Sequence, residues 1–404
     1  IMDIAIIREH KDPPDARVAL TPKVCQDIDK QYNYVRLAIE PSPGRCFTDE
    51  EYLKAGIPMK EDLGTADVLL GVKEVPIDRL IPDKTYFFFS HTIKKQAYNR
   101  ELLRALVQKN IKMVDYEALT NQKGQRVIAF GRFAGMVGAH NALYTWFQRN
   151  KLPGLPRMRD FKEYAEAKNH YTGIDLPPVR IVLTGGGRVA NGAAEVLHDM
   201  GLEQISPLDY QLYEQKTRVF TQLDCVNYVR RKQDGGFDKA EFFDSPELYE
   251  SSIHPFLKKT DIFINGIFWD NRAPAFFNLG DMQSDQFDIQ VIADITCDIA
   301  PLSSIPSTIR PSTIDDPVYG FDPSSNRETP PYQKTGIDVM AIDNLPNELP
   351  RDASRSFANQ FYIHIMPELD DIENSTMIAN ATVTENGDLG MNFEYLRDFL
   401  EGKE

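Results

Sequence analysis

The sequence predicts an α/β protein of two doubly wound parallel-sheet domains. Its 404 residues exceed what one hydrophobic core organises, so two domains are the expected number. Short apolar runs alternate with helical patterns along the first part of the chain, the spacing of parallel strands covered by helices on both faces. Farther on, a glycine loop joins a buried strand to an amphipathic helix.

The first-domain strands are predicted at Asp3–Arg8, Val35–Ile39, Asp67–Val72, Thr85–Phe89 and Ile111–Asp115. All are short, apolar and rich in β-branched or aromatic residues. A helix is expected after Thr48, where Thr48 and Glu51 form a capping-box pair ahead of Tyr52 and Leu53. Gly131–Gly138 opens a helix running through Trp146. The stretch from Asn150 to Pro178, with Pro153, Pro156, Pro177 and Pro178, reads as a connector. Val179–Leu183 is the first strand of the second domain, and Asp261–Gly266 and Gln290–Ile295 are later ones. Between them, Asp209–Thr260 is too long for a plain strand–helix unit and reads as an elaboration. Residues 301–335 are rich in Pro and Ser and read as loop. A helical pattern covers Ala353–Leu369, followed by another at Tyr395–Phe399.

A net charge of −15 argues against nucleic acid or an anionic membrane surface as partner, since both call for basic patches. No run reaches the roughly 20 apolar residues that cross a bilayer. No basic, then apolar, leader pattern opens the chain, so the cytoplasm is the expected compartment. Cys25, Cys46, Cys225 and Cys297 are scattered, without a CxxC pair. Neither a metal site nor a disulfide framework is expected.

The loop Gly185-Gly186-Gly187-Arg188-Val189-Ala190-Asn191-Gly192 follows the Val179–Leu183 strand directly. A pyrophosphate needs a tight turn, close backbone approach and free amides at a helix N-terminus. Gly185 and Gly187 suit the first two needs, and Gly192 suits close packing of helix on sheet. Val189, Ala193, Val196, Leu197 and Met200 then line one helical face. An acid about 20 residues beyond the loop would bind the ribose of NAD, and Asp209 is the candidate. Arg188 instead favours a 2′-phosphate, so NAD and NADP both stay open.

Lys73 and His91 fall just past the ends of predicted strands, where α/β folds place ligands. Both residue types can be tuned toward neutral pH for proton transfer. Glu74, Glu117 and Arg126 have similar placements. Arg17 is positioned either to clamp a substrate carboxylate or to pair with Asp15. Asp294 and Asp298 flank the end of the Gln290–Ile295 strand.

Several blocks of this sequence resemble a known family. They are Arg17–Pro22 (RVALTP), Gly71–Pro76 (GVKEVP), Phe89–Thr92 (FSHT), Asp115–Glu117 (DYE), Gly124–Gly131 (GQRVIAFG) and Ala134–Gly138 (AGMVG). Phe263–Ile267 (FINGI), Ala293–Asp298 (ADITCD), Thr313–Asp322 (TIDDPVYGFD) and Ile342–Pro346 (IDNLP) continue the match. Together they are similar to lysine-forming saccharopine dehydrogenases and lysine–2-oxoglutarate reductases, within the alanine dehydrogenase and transhydrogenase alpha-type superfamily. The resemblance implies two Rossmann-like domains separated by a cleft. The first would be discontinuous, 1–135 plus 341–404, and the second would cover 136–340 and bind the dinucleotide. It implies Lys73 and His91 as the acid–base pair, and Arg17, Glu74 and Glu117 at the substrate. It places Arg126 and Asp298 near the nicotinamide, while the glycine loop departs from the family pattern at Gly186 and Arg188; the full candidate cofactor set is Arg126, Gly185, Gly187, Arg188, Val189, Gly192, Asp209, Asn265, Gly266 and Asp298. The implied reaction is reversible formation of saccharopine from two small-molecule partners, the amino acid lysine and the 2-oxo acid 2-oxoglutarate, by reduction of an imine with the reduced form of NAD or NADP. The alternatives are an alanine dehydrogenase-like or other opine-forming enzyme, and a transhydrogenase-like nucleotide-binding module.

Overall fold

The computed structural model describes residues 1–215 and 217–403. The chain divides into two compact units, Ile1–Phe130 with Pro350–Glu404, and Gly131–Leu349. The first crossing therefore lies at Phe130/Gly131 rather than after 135. The helix Gly131–Arg149 is continuous and belongs wholly to the second unit. The return lies at Leu349/Pro350 rather than after 340, because the short turn Leu345–Glu348 packs on that same helix.

Among the described residues the first unit is organised on a seven-stranded sheet. Its parallel part runs, in spatial order, Lys112–Asp115, Thr85–Phe88, Val68–Leu70, Met2–Ile6 and Val35–Ile39. The central strands are buried along nearly their whole length, which is why they read as unbroken apolar runs. Leu102, Leu103 and Leu106 of the helix Arg100–Gln108 cover one face together with Leu69, Phe88 and Met113. Helix Asp49–Lys54 begins at Thr48 with both bonds of the capping box present. Two strands not expected from the sequence, Thr382–Glu385 and Asp388–Leu389, extend the sheet antiparallel beyond Lys112–Asp115. Strand order reverses between Met2–Ile6 and Val68–Leu70. This reversal is the switch point at which open α/β sheets place ligands.

Among the described residues the second unit carries an eight-stranded sheet in the order Arg327–Thr329, Val318–Asp322, Ile337–Met340, Val291–Asp294, Ile262–Asn265, Val179–Thr184, Arg218–Leu223, Glu203–Gln204. All pairings from Ile337–Met340 onward are parallel. Two segments of this unit fold otherwise than the sequence suggests. The segment 301–335 is not loop throughout: Val318–Asp322 and Arg327–Thr329 form an antiparallel edge pair on Ile337–Met340. Its Pro and Ser residues crowd the approach and masked the apolar Val318–Phe321. The segment Asp209–Thr260 is not only an elaboration, since it contributes the core strand Arg218–Leu223, hydrogen-bonded along the whole of Val179–Thr184. The added part is the ribbon Val229–Arg231/Tyr249–Ser251 and its short helices. Both sheets are parallel-dominated and helix-covered, as in Rossmann-like domains. No helix among the described residues is long and apolar enough to cross a membrane.

Candidate functional site

In the first unit the site is built on the C-terminal ends of four adjacent strands. Gly71 N–H donates to Phe87 O and Phe89 N–H to Val72 O, tying the ends of Val68–Leu70 and Thr85–Phe88 together. Lys73 and His91 are thereby carried on neighbouring strand ends. Asp115 locks the next pair. Its Oδ2 accepts from Ser90 N at 3.1 Å and Ser90 Oγ at 2.6 Å, and its Oδ1 accepts from Glu117 N at 2.9 Å. His91 has φ +55°, in the left-handed region a non-glycine residue seldom adopts.

The central contact is His91 Nδ1 to Glu74 Oε1, at 2.5 Å. Glu74 Oε2 lies 3.1 Å from Lys11 Nζ. Burial works against the Glu74 carboxylate, but the His91 hydrogen bond and charge, with Lys11 beyond, outweigh it and bring the carboxyl down to about 2. With Nδ1 turned to Glu74, Nε2 is the ring nitrogen left to exchange a proton. Burial first, and then the Arg17 charge, hold the Lys73 ammonium below the ordinary lysine range. Two of the Arg17 nitrogens meet the buried Asp15 carboxylate, Nε at 3.0 Å and Nη2 at 2.7 Å, and its guanidinium lies 4.5 Å from the centre of the Phe130 ring. The pairing with Asp15 left open by the sequence is therefore made. Glu117 meets Lys94 at 3.0 Å. Arg126 is half-buried, and its backbone bridges Thr120.

Sequence reading missed Glu9. It follows the first strand at the strand-order reversal, and its Oε1 accepts from Val72 N at 2.6 Å and Lys73 N at 2.7 Å. The signal available was an acid directly after the expected strand Asp3–Arg8, in a charged run with His10, Lys11 and Asp12, which is indistinguishable from a solvated one.

In the second unit, Thr184 ends the glycine-loop strand and Gly185 takes φ +113°. A Cβ at Gly185 would lie 2.6 Å from Gly266 O, so only glycine fits. Gly266 thus serves as the wall of the turn. Gly187 is the N-cap of helix Arg188–Asp199 and makes no side-chain capping bond. A Cβ there would meet nothing within 4 Å. First-turn amides without a side-chain cap, behind an open glycine, are what binding of an anion at a helix N-terminus requires. Arg188 is exposed at the first helical position, and Val189 is half-buried behind it. Gly192 serves a different contact from the one expected: its Cβ would lie 2.1 Å from Arg132 O, so it admits the helix Gly131–Arg149 rather than the sheet. Gly135 answers it, its own Cβ falling 1.8 Å from Val189 O.

Two expected cofactor residues stand elsewhere. Asp209 is exposed in the first turn of helix Pro207–Leu212, where it closes a cap with Ser206, and it is not at a strand end. Asn265 is buried, with its amide nitrogen donating to Asp294 Oδ1 and Ser304 Oγ and its oxygen accepting from Thr184 Oγ1. Its side chain is spent on holding strands together. Asp294 accepts in addition from Cys297 N and Thr308 Oγ1, and burial pushes its carboxyl up to about 6. Asp298 is half-buried just past the turn that Cys297 makes at φ +56°.

The acid beside the glycine loop is Asp224. It follows Arg218–Leu223, the parallel neighbour of Val179–Thr184, and Gly185 N–H donates to Leu223 O. The Asp224 carboxylate lies 3.7 Å from where a Gly186 Cβ would stand, and 3.7 Å from Lys239 Nζ. It comes 32 residues after Gly192, because Glu203–Gln204 and helix Pro207–Leu212 are inserted before the strand.

Residues 5–137 match the family "Alanine dehydrogenase/PNT, N-terminal domain". The matched stretch carries Glu9, Arg17, Lys73, Glu74, His91 and Glu117. Over 99% of its length the chain is 29% identical to the mitochondrial alpha-aminoadipic semialdehyde synthase of Mus musculus, of which it spans about half, 48%. It is 28% identical to the saccharopine dehydrogenase (NAD(+), L-lysine-forming) of Emericella nidulans, over 93% of this chain and 94% of that protein. In fold it is similar to an L-alanine dehydrogenase, with TM-score 0.66 and 16% identity over 99% of both chains.

Proposed function

We propose that the chain is a nicotinamide-dependent dehydrogenase that oxidises the secondary amine of saccharopine to lysine and 2-oxoglutarate, and runs in reverse. The observation that carries the chemistry is the Lys73–Glu74–His91 group, a lysine held below its ordinary range beside a carboxylate-oriented imidazole. Similarity along nearly the whole chain to relatives named for this reaction supports the substrate.

The glycine loop fits a dinucleotide: the Arg188–Asp199 amides lack a side-chain cap, Gly187 is open, and Gly185 admits no side chain. When bound, the nicotinamide supplies the hydride acceptor. The position of the Asp224 carboxylate beside the loop supports its role as acceptor for ribose hydroxyls, and its charge disfavours a 2′-phosphate, which favours NAD. Lys73 Nζ and His91 Nε2 move protons at the substrate nitrogen and at the water that splits the C–N bond. Glu74 keeps the imidazole in one tautomer, and Arg17, paired with Asp15, acts on the pair through its charge, which helps hold Lys73 below its ordinary range.

The L-alanine dehydrogenase fold favours a second reading, in which the substrate is a simple amino acid that releases ammonia. Purified chain incubated with NAD or NADP and either saccharopine or alanine, followed by nicotinamide absorbance, separates the two. Turnover with saccharopine is expected. Turnover with alanine and none with saccharopine transfers the function to the second reading.

A further inference from the structure

We propose that Glu9 is the positioning residue of the acid–base pair, holding the backbone turn that carries Lys73. This rests on reading Lys73 as an acid–base group.

A single oxygen, Glu9 Oε1, accepts both the Val72 and the Lys73 amide, at 2.6 and 2.7 Å. Adjacent amides converging on one acceptor fix the turn between them. From the other side the same turn is tied to the next strand by Gly71 N–H to Phe87 O and Phe89 N–H to Val72 O. Gly71 packs against the chain leading to Glu9, since a Cβ there would fall 2.9 Å from Ile7 Cδ1 and 3.6 Å from Glu9 Oε2. The first and third strands part at this place, and no ladder bond reaches Val72 or Lys73 from the first strand: its pairing ends at Ile6 with Leu70, and Ile7 N–H donates to Leu70 O. Glu9 supplies the missing link with a side chain. Without it two amides beneath the site would lose their acceptor, at a penalty that favours rearranging the turn.

The carboxyl works in this role largely through its acceptor oxygen. Burial, with the Asp15 carboxylate next, pushes it up to about 8 against the two amide bonds and the Arg17 charge. The groups that face it are Asp15 and Arg17 from the following loop, the Val72 and Lys73 amides, and Tyr116, whose hydroxyl feels the Glu9 charge.

Glu9→Gln and Glu9→Asp in the full chain test this, because they separate acceptor from charge. Glutamine keeps an oxygen at the same reach. Aspartate keeps the carboxyl but withdraws it by one methylene. Two readouts are taken: turnover against pH, and the pH dependence of Lys73 acetylation by acetic anhydride, scored by peptide mass spectrometry. Glu9→Gln is expected to keep the wild-type Lys73 midpoint and turnover. Glu9→Asp is expected to move the midpoint up toward an ordinary lysine and lower kcat about ten- to a hundredfold, with KM for the nicotinamide unchanged. A folded Glu9→Asp protein with an unmoved midpoint, or a Glu9→Gln protein as impaired as Glu9→Asp, overturns the proposal. If neither saccharopine nor alanine is turned over while the midpoints behave as expected, the proposed function fails and the role of Glu9 stands.

Discussion

At the scale of single residues, the first unit joins groups whose protonation is set by burial and by one another. Lys73 is held down by burial and the Arg17 charge, and His91 is pinned through Nδ1 to a carboxylate that stays ionised down to about pH 2. Lys73→Met and His91→Gln are each expected to lower turnover by roughly a hundred- to ten-thousandfold. The double variant should lose little more than the worse single one, because groups acting as a unit are non-additive. Nicotinamide affinity and melting temperature should stay near wild type. A stable Lys73→Met protein with wild-type kcat would end its assignment as an acid–base group.

At the scale of elements, glycines of one loop and helix do opposite work. Gly187→Val places a side chain in the open space before the helix amides. Calorimetry should find dinucleotide affinity down more than about tenfold, or 1.4 kcal/mol, with an unchanged melting temperature. Gly192→Ala drives a methyl into Arg132 O at the crossing of two helices. It should lower stability by about 1–3 kcal/mol while any folded protein binds dinucleotide normally. Swapped signatures would mean that the helix crossing, not the loop, shapes the binding site. The strand order makes a parallel contrast between two acids. Asp224→Ser should shift preference from NAD toward NADP, and Asp209→Ser should leave it unchanged, since Asp209 is occupied in capping a helix. Equal NAD and NADP constants in wild type and Asp224→Ser would remove Asp224 from the ribose.

At the scale of the whole molecule, the two units need not unfold together, and a pH-sensitive brace lies in one of them. His140, on the long helix Gly131–Arg149, donates from Nε2 to Pro156 O at 2.8 Å and accepts at Nδ1 from the Tyr171 hydroxyl at 2.6 Å. Burial lowers it to about 4 from an ordinary 6.5, so the folded ring stays neutral while the unfolded one takes up a proton. Between pH 6.5 and about 4 the unfolded chain binds more protons, and stability falls as pH falls, by up to roughly 3 kcal/mol. His140→Gln, whose amide can both donate and accept, should flatten this limb. Melting curves at pH 7 and pH 4.5 check it: an equal acid-induced drop in both proteins would assign the limb to other groups.

What the sequence determined by itself is what neighbours along the chain dictate. Unbroken apolar runs marked the buried strands, Thr48 and Glu51 marked a helix start, and the placement of Lys73 and His91 just past strand ends marked a candidate site. Each signal is carried within a few residues, by burial on both strand faces or by a local capping bond. The tertiary structure decided everything that depends on which strand lies beside which. It put Asp224 rather than Asp209 next to the glycine loop, because an inserted strand and helix precede the neighbouring strand. It turned Asn265 into a brace and Gly192 into a helix crossing, because their partners lie far off in sequence. It also brought Glu9 beneath Lys73 across 64 residues. A carboxylate's role is set by the donors that reach it, and those donors are assigned only when the sheet order is fixed.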